Sequence, residues 1–179
     1  MGNSNDARTT NLLAAAVLGL DDALREAVTE ATGLDLAAAT AMVAMLDFTP
    51  AGSVLMLSRV VGLTHSGTVR LVDRLVALGY ADRGDGPDAR SRTVRLTRSG
   101  RVLARKARRA REAVLQEVLL DLKPQQRQAI SDFSATLVGG IARRRRAERA
   151  EGSVPPGGAL CRLCDFTACG RRDGRCPAM

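Results

Sequence analysis

Residues 53–97 constrain this chain more than any other stretch, because their order of helix, break, helix and hairpin admits few architectures. Residues 53–60 (SVLMLSRV) form an apolar helical segment that Gly62 interrupts, and Thr64 stands where an N-cap is expected before the next helix. Across residues 64–78, Thr68, Leu71, Val72, Leu75 and Leu78 recur at helical spacing and predict a packed face, while Ser66, Arg70, Asp73 and Arg74 gather on the opposite one. Gly79 supplies the left-handed residue that ends a helix. Residues 80–83 read as a strand, Gly84-Asp85-Gly86-Pro87 as its break and Thr93-Val94-Arg95-Leu96 as the return, so the hairpin carries Arg90, Arg92 and Arg95.

The run LTHSGTVRLVDRLVALGYADR followed by DARSRTVRLTRSGR resembles the winged helix-turn-helix of the MarR family of bacterial transcriptional regulators. The resemblance rests on Leu71-Val72-Asp73-Arg74-Leu75 in the recognition helix, Gly79 after it, Asp88 and Arg90 in the wing, and Leu96-Thr97 opening the next helix. It covers roughly residues 11–147 and implies a mainly α fold: a winged helix-turn-helix flanked by N- and C-terminal dimerisation helices, whose ends intertwine in a homodimer. It also implies a transcriptional repressor or activator rather than an enzyme, with a small-molecule effector, often an aromatic acid, among its partners.

Charge points the same way. The net charge is +8, and all basic residues but Lys106 and Lys123 are arginine, whose fork suits phosphate and guanine. Aromatics make up only 2% of the chain, too few for the stacking platforms of single-strand binders, so double-stranded DNA is the expected partner. The N-terminus lacks a leader pattern and no apolar run is long enough to cross a bilayer, which predicts a cytoplasmic protein without membrane contact.

Four segments are expected: a disordered N-terminus over residues 1–10, the winged helix-turn-helix domain over 11–149, a Gly/Pro linker over 150–160, and a cysteine tail over 161–179. Within the domain, residues 11–32 form a first helix stopped by Gly33, and Asp35 caps a second that runs to Leu46. A third long helix begins at Thr97 or Ser99. Pro124 opens a last one, with Ile130, Phe133, Leu137, Val138 and Ile141 on one side. The arginines at 143–146 read either as a solvated helix end or as an extra phosphate contact.

In the DNA reading, Thr64, His65 and Ser66 lie on the leading turn of the recognition helix, near phosphates or base edges, and Thr68 belongs to the same candidate DNA-binding set. Arg70 is the first candidate for base readout, since arginine on guanine is the commonest specific contact. Arg74 is suited to phosphate or to an ion pair with Asp73. Arg90 and Arg92 suit the narrow minor groove, although Asp88 is an equally good partner for Arg90. Two such helices, one per subunit, predict a palindromic operator.

The tail carries Cys161, Cys164, Cys169 and Cys176 in the spacing Cys-x2-Cys-x4-Cys-x6-Cys, with Gly170 and Gly174 to let the backbone turn tightly. Four cysteines in a short segment of a reducing compartment point to a soft metal centre. An iron–sulfur cluster fits the uneven spacing and the terminal Cys-Pro, and zinc in a closed four-thiolate site is the alternative. A metal-free thiol switch and an inert tail stay open. A cluster predicts a redox or iron sensor, whereas structural zinc leaves a regulator that answers to a small aromatic ligand. Two other functions compete: a thiol oxidoreductase using Cys161 and Cys164, which lacks the βαβ context such a pair needs, and a nucleoid-type binder without sequence preference.

Overall fold

The computed structural model describes residues 4–85, 92–152 and 157–179. Its elements run α1 (Ser4–Thr32), α2 (Leu36–Asp47), β1 (Gly52–Ser53), α3 (Val54–Val61), α4 (His65–Ala77), β2 (Ala81–Asp85), β3 (Arg92–Leu96), α5 (Arg98–Leu120) and α6 (Pro124–Ala150), followed by a 3-10 turn at Arg171–Asp173. This is the expected mainly α winged helix-turn-helix. The helix starts follow local chemistry: Asp35, Ser53, Thr64 and Thr97 each have extended backbone and accept a hydrogen bond from the amide three residues on.

The core is built on α2, which has no polar face because every residue from Ala38 to Met45 is buried. α1 and α5 pack across it, α3 lies beside it, and Val72, Leu75, Val94 and Leu96 bring α4 and the hairpin onto the same cluster. The sheet is antiparallel in the order β1-β3-β2, with Gly52 opposite Val94 and Ala81 opposite Leu96.

Four expectations need correction. Residues 4–10, expected to be disordered, extend α1 by two turns. Elongating an existing helix costs far less than starting one, and Thr9, Thr10 and Asn11 bond back to the carbonyls of Asn5, Asp6 and Ala7. β2 continues through Gly84 and Asp85, which pair with Thr93 and Arg92 instead of forming the break. Leu78, assigned to the packed face, is exposed because α4 has already ended at Ala77. The two-residue strand β1 has too little sequence to announce itself, and it exists only because β3 lies beside it.

The largest departure concerns the linker. α6 runs on to Ala150, and residues 157–179 fold back onto the core instead of standing apart from it.

Candidate nucleic-acid interface and cysteine tail

α4 is fixed at both ends and along one face. Thr68, Val72 and Leu75 are buried with at most 0% exposure, fixing one face to the core, while His65, Ser66 and Arg70 are exposed on its N-terminal half. The Thr64 hydroxyl accepts the amide of Gly67 at 3.1 Å and lies 3.4 Å from the Ser66 hydroxyl, so the leading turn is fixed before any ligand arrives. Gly79, at φ +72°, closes the other end.

The proposed DNA contacts divide once side chains are placed. Thr68 is excluded from the surface: it is fully buried, and its hydroxyl donates to the Thr64 carbonyl at 2.9 Å, because it falls on the same face as Val72 and Leu75. Arg74 pairs with an acid other than Asp73. Its Nη1 lies 2.5 Å from Oδ2 of Asp35, the residue that caps α2, and so ties α4 to the core. Asp73 bonds Arg83 of β2 at 2.6 Å and braces the helix against the wing. Arg92 is exposed and bonded to Asp85 across the hairpin at 2.8 Å. Arg90 lies outside the described residues, as does its suggested partner Asp88. Arg70 is left as an exposed guanidinium with no ion-pair partner among the described residues.

Asp35 and the Asp73–Arg83 brace were not candidates in the sequence, since neither contact is local to α4. Partial burial works against the Asp35 carboxylate, but the Ala38 amide and the Arg74 guanidinium outweigh it and hold its pKa below the ordinary carboxylate value.

The tail is anchored by residues equally invisible to pattern. Two of the three phenylalanines in the chain, Phe48 and Phe166, meet edge to face with ring centres 4.7 Å apart. The Arg171 guanidinium lies 5.3 Å and 5.0 Å from those two rings. Asp47, whose side chain is 9% exposed, takes Arg108 of α5 and Arg172 of the tail at 3.0 Å each. Asp165 accepts the amides of Thr167 and Ala168 and lies 3.3 Å from Arg108.

The tail also touches the helix-turn-helix directly. The Ala159 amide donates to the Val60 carbonyl at 2.8 Å. Gly62 and Gly158 meet so closely that a Cβ on Gly62 would lie 2.1 Å from the Gly158 nitrogen, and one on Gly158 would lie 1.9 Å from the Val60 oxygen. The turn between α3 and α4 therefore accepts only glycine on both sides of this contact.

All four cysteines are free; Cys161 and Cys176 are buried, and Cys164 and Cys169 are half-buried. Burial pushes the thiols of Cys161 and Cys164 up, opposed by Arg171 at Cys161 and by Arg111 at Cys164, and Cys169 and Cys176 add to both rises. A buried thiol of raised pKa is a poor nucleophile, which weighs against the oxidoreductase reading. Among the described residues, no three Cys, His, Asp or Glu donors converge in a metal-binding geometry. The four thiols lie within one short segment, and Arg171 donates to Cys161 Sγ at 3.5 Å.

No protein-family model and no curated protein matches this chain. Solved structures do. A MarR-family protein from Bacillus stearothermophilus is similar with a TM-score of 0.68 at 21% identity, over 79% of this chain and 98% of that one. Sco3205, a MarR-family transcriptional regulator from Streptomyces coelicolor solved in complex with DNA, gives 0.63 at 19% over 79% and 94%. A MarR-family regulator from Rhodococcus sp. RHA1 gives 0.59 at 20% over 76% and 96%. At such identities the likeness is one of fold, and the fold is the winged helix-turn-helix of MarR regulators. Among the described residues, no helix is long and apolar enough to cross a membrane.

Proposed function

We propose that the chain is a sequence-specific regulator of transcription that binds double-stranded DNA as a homodimer on a palindromic operator. The observation that carries this reading is the division of labour on α4: Asp73 and Arg74 are spent on bracing the helix, and Arg70 remains outward on the same face. Arg70 then reads a base, His65 and Ser66 meet the backbone or base edges, and Arg92 works beside them in the wing. The winged fold and the DNA-bound state of Sco3205 support it.

Dimerisation has its own support. Gly139 and Ala142 are the buried residues of α6, whereas Ile130, Phe133, Leu137 and Ile141 form an exposed apolar stripe along it. Leu12, Leu13, Val17 and Leu18 of α1 are exposed as well. Apolar stripes of this length on two helices fit burial in a second copy of the chain.

The tail is a metal centre, an iron–sulfur cluster in the first place and zinc as the alternative, and its state governs operator affinity through the Gly158–Gly62 and Ala159–Val60 contacts. Residues 157–179 have turns and one 3-10 segment but no apolar core of their own, and a fold that small needs a crosslink or a metal.

Gel-shift titration tests the DNA reading. Arg70→Ala is expected to weaken operator binding by about 1–3 kcal/mol while changing random-duplex binding far less; equal loss on both removes base readout from Arg70. Anaerobic purification with visible absorption and metal analysis tests the tail. A coloured protein with iron and sulfide supports the cluster, a colourless one with zinc supports the alternative, and a metal-free chain with an intact tail overturns both.

A further inference from the structure

Between α6 and the docked tail lies a cavity of about 350 Å3 that the DNA reading does not use and that shares only Cys161 and Arg171 with the metal reading. Arg145, Arg146 and Arg149 line it from α6, Arg171 and Cys161 from the tail, and Phe48 from the end of α2. No acidic side chain is among its lining residues.

The arginines spend little of their capacity on the protein. Arg145 donates to the Gly158 carbonyl at 2.7 Å, Arg146 to the Met179 and Ala178 carbonyls at 2.8 Å and 3.4 Å, and Arg171 to Cys161 Sγ at 3.5 Å. Arg149 has no hydrogen-bond or ion-pair partner among the described residues. Each guanidinium has five N–H donors in a planar fork, so most of the donors around the cavity are unspent. Four guanidinium groups converge on one space whose lining, among the described residues, includes no acidic side chain, and an anion entering it meets a net positive charge.

We propose that this cavity binds a small molecule bearing a phosphoryl group. A phosphoryl group carries about −1.5 to −2 charge at neutral pH and three acceptor oxygens, which match several guanidinium forks better than the single charge of a carboxylate does. Phe48 offers an apolar surface to the rest of the molecule. Because Cys161 and Arg171 form one wall, the site exists only while the tail is docked, and the ligand stabilises that docked state by mass action. The tail thereby takes a second input, chemically distinct from metal.

Calorimetric titration of the full chain with phenyl phosphate is the test, with benzoate as the arm that keeps the ring and removes the phosphoryl group. Saturable binding at one site per chain is expected, with benzoate at least about tenfold weaker. Arg149→Ala is expected to weaken phenyl phosphate about tenfold. Arg144→Ala, which removes a guanidinium paired with Glu148 and absent from the cavity wall, is expected to leave binding unchanged. Absence of saturable binding overturns the proposal, as does equal weakening by the two variants, which reduces the effect to diffuse charge. If Arg149→Ala leaves phenyl phosphate binding intact but lowers operator affinity in phosphate-free buffer, the arginines contact the DNA backbone instead. The titration contains no DNA, so its outcome is separate from whether an operator is found.

Discussion

The reading helix and the cysteine tail both depend on contacts distant in sequence, yet they are held by opposite means. α4 is secured by burial: Thr68, Val72 and Leu75 disappear into the core, and the ion pairs with Asp35 and Arg83 orient a helix that is already packed. The tail packs only the partly buried Ala159 and Leu163 against the core, sets Phe166 against Phe48, and relies besides on Asp47 and on backbone hydrogen bonds. Burial is non-directional and tolerates small displacements, whereas hydrogen bonds and ion pairs fail once geometry shifts. One region is therefore built to stay and the other can shift, which fits the proposed division between a DNA-reading surface and a sensing tail.

The difference predicts how each region fails. Leu75→Ala removes a fully buried side chain beneath the reading helix and is expected to cost about 2–5 kcal/mol of global stability, read as a lower urea midpoint by circular dichroism. A cost well below that range means α4 is less dependent on the core than its burial indicates. Asp47→Ala removes the shared partner of Arg108 and Arg172 and is expected to cost about 1–3 kcal/mol, concentrated in tail docking. Hydrogen exchange should then rise across residues 157–179 while α4 amides stay protected. If protection falls equally in both regions, the tail and the core are one cooperative unit.

The smallest effect concerns pH. The Asp35 carboxylate has a depressed folded pKa, so its contribution is present above the unfolded value of about 3.9 and is lost as pH falls through the lower folded one. The Arg74–Asp35 pair is about half exposed, so the contribution is a fraction of a kcal/mol after solvent screening. Asp35→Asn keeps a capping oxygen but not the charge. The stability difference between wild type and this variant should shrink as pH is lowered from about 6 to about 2. A constant difference leaves the Asp35 charge without a role.

The sequence made the domain legible because its signals are local. The N-caps Asp35, Ser53, Thr64 and Thr97, the glycines at 62 and 79, and the spacing of Thr68, Val72 and Leu75 each act within a few residues of where they stand. The same spacing placed Thr68 on the packed face, and including it among the DNA contacts was an error the periodicity already argued against. The architecture of the tail was not legible. The Gly/Pro composition before it suggested a tail that stands alone, whereas residues 157–179 rest on the core.

What the amino-acid sequence determined by itself was the order of the helices and the hairpin, several of their starts and stops, and which face of α4 could be outward, all consequences of short-range sterics and hydrogen bonding. Only the tertiary structure decided which outward residues remain unspent and where the tail rests. Arg70 and Arg74 share a face and a chemistry, and they differ only because Asp35, thirty-nine residues from Arg74, reaches one of them. Asp47 and Arg172 are separated by 125 positions and meet because the packing of α2 and α5 leaves the acid that ends α2 within reach of the returning chain. Pairings at such separation are fixed by the packed core, whose geometry no local pattern records.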